Sequence, residues 1–131
     1  MKPKDSLIRV KQFQVTEKHR QVNQLETMIA EFERMAGELD VQIQNEEKKS
    51  GITDVDHFAY PTFAKAARTR RDNLFNSIRD LQSQKDAAEA ALMDAEAELQ
   101  KAEKLDVREA RRVAEEQSAR TSAYDRQAMI G

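Results

Sequence analysis

An all-α chain of two long helices, folded back as an antiparallel coiled-coil hairpin, is what this sequence predicts. Three observations lead there. Charged residues make up 35% of the 131 positions and aromatics 5%, with a mean hydropathy of −0.83 and only three Gly and two Pro. That profile, rich in Ala, Glu, Lys, Arg, Gln and Leu, belongs to long helices. Disorder is the competing reading of so polar a chain, and periodicity decides between the two. Apolar residues recur at alternating three- and four-residue spacings in two separate tracts. Between the tracts, GITDVDHFAYPTF (51–63) concentrates Gly51, Pro61, His57 and three of the seven aromatics, as a turn would.

The first tract places Ile8, Val15, Val22, Ile29, Ala36 and Ile43 seven residues apart. Lys11, Lys18, Leu25, Phe32 and Leu39 fill the intervening positions, so an a/d seam runs from 8 to 43 with lysine at two d positions. Asp5 or Ser6 suits an N-cap. Gly51 suits the residue after the helix end, and Lys48 and Lys49 in the last turn favour the helix dipole. Helix one is therefore expected over about 5–49, about 65 Å at about 1.5 Å per residue.

The connection is expected over 50–60, with Pro61 in the first turn of helix two, where its missing N–H costs nothing. The second seam reads Tyr60, Ala64, Ala67, Arg71, Leu74, Ile78, Leu81, Lys85, Ala88, Leu92, Ala95, Leu99 and Ala102. No Gly or Pro interrupts it, so helix two is expected to run from about 61 to about 125. Alanine dominates the seam beyond 87, which lets backbones approach closely but buries little per residue.

Charge supports antiparallel pairing. With Ile43 near Ala64, facing residue numbers sum to about 108. Residues 21–47 then carry a net −6 opposite +3 on 61–87, and residues 1–20 carry +4 opposite −4 on 88–107. Such pairs set orientation more than stability, at about 0–1 kcal/mol each. Residues 108–131 have no partner in helix one, so helix two overhangs at its C-terminus. The expected molecule is one domain, a rod with a closed tip and an open end.

The chemistry of the sequence is that of a surface rather than a pocket. Cysteine is absent, which fits a reducing cytoplasm. No apolar run is long enough to span a bilayer, and the N-terminus lacks the apolar core of a secretory signal. His19 and His57 are too scattered for a metal site, and no phosphate loop, nucleophile elbow or H-E-x-x-H occurs. The expectation is a protein without catalysis, cofactor or metal. A net charge of −2 is no nucleic-acid signature either.

Within helix one, Val10 and Phe13 fall on positions facing away from the seam, among Arg9, Lys11, Lys18 and Arg20. An exposed aromatic in a basic surface is a docking site for an acidic protein; a local register shift tucking Phe13 into the coil is the bland alternative. Met28 and Met35 flank the seam. The basic stretch 67–74 has acids of helix one opposite it. Phe58, Tyr60 and Phe63 are expected to cover the end of the coil, with Asp54 capping a short turn.

Residues 5–105 resemble the flagellar export protein FliJ family in its alphaproteobacterial form. The resemblance lies in LIRVKQFQVTEKHRQVNQLETMIAEFERMAGEL and in GITDVDHFAYPTFAKAARTRRDNL, above all in Gly51-Ile52 and in Tyr60-x-x-Phe63 opening helix two. It implies a component of the flagellar type III export apparatus, cytoplasmic and associated with the inner membrane only through protein contacts. Family members are antiparallel coiled coils similar to the stalk of rotary ATP synthases. Their open end inserts into the export ATPase ring, a surface nearer the tip engages the cytoplasmic domain of the membrane export gate protein, and export chaperones are handled as well. Carried onto this sequence, the ATPase end comprises Arg9, Val10, Lys11, Phe13 and Lys18 with the tail from Arg108. The gate surface comprises Tyr60, Phe63, Ala67, Arg70 and Leu74, with Arg70 standing where a small residue is expected. A generic coiled-coil scaffold or secretion chaperone is the alternative, and pairing of Ala-rich seams between chains is a further possibility.

Overall fold

The computed structural model describes residues 3–130. The fold is the expected helical hairpin: α1 (Pro3–Ser50) and α2 (Thr62–Ile130) with no strand among the described residues. Helix α1 starts earlier than an Asp5 or Ser6 cap would allow, because Pro3 serves as a first helical residue. Helix α2 continues to Ile130, five residues past the expected end, since nothing in that stretch breaks a helix.

Helix α1 stops at Gly51, whose φ of 73° lies in the left-handed region that a side chain resists. Its N–H donates to the Glu47 carbonyl at 2.8 Å, closing the last turn. Ser50 Oγ then accepts from the Ile52 N–H at 3.1 Å. Asp54 organises the connection as expected: Oδ1 accepts from the Asp56 N–H at 3.0 Å and its carbonyl from the His57 N–H at 3.1 Å. The Pro61 carbonyl accepts from the Lys65 N–H at 3.0 Å, so Pro61 stands just before α2, one residue outside its expected place.

The residues divide into two compact units, His19–Ala90 and the two end stretches up to Lys18 and from Ala91. Within His19–Ala90, the core comprises Val22, Ile29, Ala36 and Ile43 from α1 and Tyr60, Ala64, Ala67 and Leu81 from α2. Leu25, Phe32, Leu39, Leu74 and Ile78 are half-buried beside them. Ion pairs fix the antiparallel sense: Glu26 with Lys85 at 3.5 Å, Asp40 with Arg71 at 2.8 Å and Glu47 with Arg68 at 3.0 Å. Arg71 and Lys85 lie about three residues beyond the positions that the assumed turn sets opposite Asp40 and Glu26. The connection is centred about two residues later than that turn implied, which moves the facing positions by this much.

In the other unit the seam is looser. Ile8, Lys11, Val15 and Lys18 of α1 and Leu92, Ala95 and Leu99 of α2 are half-buried, and Ala102 is buried. Lys11 Nζ lies 4.0 Å from the Glu98 carboxylate, within a residue of the expected alignment. Residues 110–129 are exposed throughout, which is the expected overhang.

Candidate partner-binding surfaces

Three side chains that the seam brings together close the tip. Tyr60 ends the connection and is buried, so its hydroxyl must find partners. It donates to Glu47 Oε1 at 2.8 Å and accepts from Arg68 Nε at 2.9 Å, while Arg68 Nη2 donates to the same Glu47 oxygen at 3.0 Å. The hydrogen bond from Arg68, then that from Tyr60, holds the Glu47 carboxyl below the usual carboxylate range. The same contacts raise the Arg68 guanidinium, Tyr60 first and Glu47 second. This network joins residues 13 and 21 positions apart, so spacing along either helix gives no sign of it.

The five gate-facing residues suggested by the resemblance do not share one surface. Tyr60 and Ala67 are 7% and 3% exposed and belong to the core, because their seam positions turn them inward. Phe63 is 55% exposed and presents its ring to solvent. Arg70 is exposed and Leu74 half-buried, and both line a groove with Phe32, Met35 and Leu39. The groove runs along the seam's flank, which explains why Met35 remains partly exposed. Its α1 wall went unnoticed in the sequence because Phe32 and Leu39 already had a role as seam residues.

The tip corrects one expectation about the aromatics. Phe58 is 96% exposed and covers nothing, so of the three expected plug residues only Tyr60 fills that role. Ile52 and Val55, both half-buried, supply the rest of the apolar cover. The Phe58 ring instead stacks on His57, centroids 4.7 Å apart.

At the α1 end, Val10 and Phe13 are exposed, so the register shift that would tuck Phe13 into the coil does not occur. Arg9 and Phe13 are four residues apart and Val10 and Phe13 three apart, which sets the three on adjoining positions of one helix face. Lys11 and Lys18 lie on the seam itself and are half-buried, and the Lys11 ammonium is drawn toward Glu98 on the opposite helix. They are therefore only partly available beside Arg9 and Phe13.

Among the described residues no group of three or more His, Cys, Asp or Glu is placed to hold a metal, and no helix is long and apolar enough to cross a membrane. No family profile, curated protein or solved structure matches the chain.

Proposed function

We propose that the protein is a non-catalytic coupling component of a flagellar type III export apparatus. In this reading it joins the export ATPase ring to the cytoplasmic domain of the membrane export gate and assists chaperone and substrate handling. It acts in the cytoplasm, held at the inner membrane by protein contacts alone. The observation carrying the proposal is the resemblance over residues 5–105, with Gly51-Ile52 and Tyr60-x-x-Phe63 at the turn. Two structural features support it: the helical hairpin, and the exposed Phe13 beside Arg9 and Val10 on α1. An exposed ring beside an arginine is the anchor type that recurs at interface centres.

The test is kinetic. Adding the purified protein raises the turnover of its cognate flagellar ATPase, and Phe13→Ala reduces that stimulation several-fold with the helical circular dichroism unchanged. A turnover indifferent to the wild-type protein would sink the coupling role.

A further inference from the structure

Phe58 has the highest exposure of any large apolar side chain among the described residues, 96%. Its setting is not that of a loose loop. Four hydrogen bonds fix the backbone around it: Asp56 N–H to Asp54 Oδ1, His57 N–H to the Asp54 carbonyl, Ala59 N–H to His57 Nδ1, and Tyr60 N–H to the His57 carbonyl. Tyr60, two residues on, is tied in turn to Glu47 and Arg68. The ring is thus held in water, stacked on His57, by a turn whose closure needs none of its surface. A large apolar group displayed on a fixed backbone loses little conformational freedom on binding, the condition under which one aromatic contributes most to an interface. The connection from 51 to 61 carries charge of one sign: it holds Asp54 and Asp56 and no lysine or arginine, and neither carboxylate has an ion-pair partner among the described residues.

We infer that Phe58 is a docking anchor that seats in an apolar socket rimmed by lysine or arginine on a folded protein partner. The two carboxylates, neither of them ion-paired, select such a rim and disfavour an anionic lipid surface. The inference rests on the proposed function for the identity of that partner, the cytoplasmic domain of the export gate protein, and adds to it the residue and the chemistry of contact. It also moves the anchor from the α2 surface around Arg70 to the connection.

Titration of that gate domain into the full-length chain, followed by calorimetry at several salt concentrations, tests it. Wild-type binding weakens as salt rises. Phe58→Ala weakens binding about 30-fold, within the range of an interface anchor, and leaves the melting temperature unchanged because the ring is not packed. Asp54→Asn with Asp56→Asn keeps an oxygen to cap the turn but flattens the salt dependence. Unchanged affinity of Phe58→Ala overturns the anchor while leaving the gate reading in place. Absence of wild-type binding overturns the gate reading and the anchor together. Phe58-dependent partition into phosphatidylcholine vesicles, or Phe58-dependent self-association in sedimentation, overturns the inference by giving the ring to lipid or to a second copy.

Discussion

Two aromatic residues two positions apart, Phe58 and Tyr60, meet opposite fates, and one hydroxyl group separates them chemically. Tyr60 is accepted into the tip because its hydroxyl satisfies the Glu47 carboxylate and the Arg68 guanidinium at once. A phenylalanine there would fill the same space but leave both charges short of a partner. The lowered Glu47 pKa has a consequence for stability, and its sign is fixed by linkage. Across the interval below the ordinary carboxylate value of 4.5, the unfolded chain binds a proton at Glu47 that the folded chain does not. The stabilisation is therefore complete above that value and is lost as pH falls through the lower folded value. Thermal melts of the wild type should show this added loss on acidification, and Glu47→Gln should remove its share of the pH slope while lowering stability at neutral pH.

At the scale of the helix, small residues decide how closely the two strands of the tip approach. Ala64 is fully buried and Ala67 nearly so, next to the long side chain of Tyr60 in the same seam. Ala64→Leu adds three carbons where no exposed surface remains, and the cost is expected at about 1–3 kcal/mol, read from urea unfolding. The same change at Ala119, on the exposed stretch of α2, should leave the midpoint unaltered. The positions of these seams were legible in the sequence: each expected seam residue from Ile8 to Ala102 is buried or half-buried, because a three–four alternation has one physical solution on a helix. The helix end at Gly51 was equally legible, since its backbone conformation favours glycine. The facing of Phe58 and Phe63 was not. In the connection, orientation depends on hydrogen bonds from Asp54 and His57, and no periodicity reports those. For Ala67 the seam and the resemblance disagreed, and the structure sides with the seam, which turns it into the core.

For the molecule as a whole, the 69 residues of α2 outrun the 48 of α1, and the excess is sustained by its own backbone. Local pairs such as Arg112 with Glu116 at 2.8 Å and with Glu109 at 3.0 Å are solvent-exposed and add little. Ending the chain after Arg111 should therefore lower the helical signal in proportion to the residues removed, with the melting temperature of the remainder unchanged. A marked fall in that temperature would mean that the overhang supports the paired region. Along the paired region, the charged residues interrupting the two apolar seams are Lys11 and Lys18 in α1 and Arg71 and Lys85 in α2, and all four are cations. Folded back on itself, the chain gives three of them an acid on the opposite helix: Glu98, Asp40 and Glu26. Two chains lying side by side in parallel would instead set each lysine or arginine against its own copy, charge to charge along the seam. Four like-signed residues at half-buried seam positions thus act as a bar to parallel pairing between copies, whereas the hairpin gives three of them an acid.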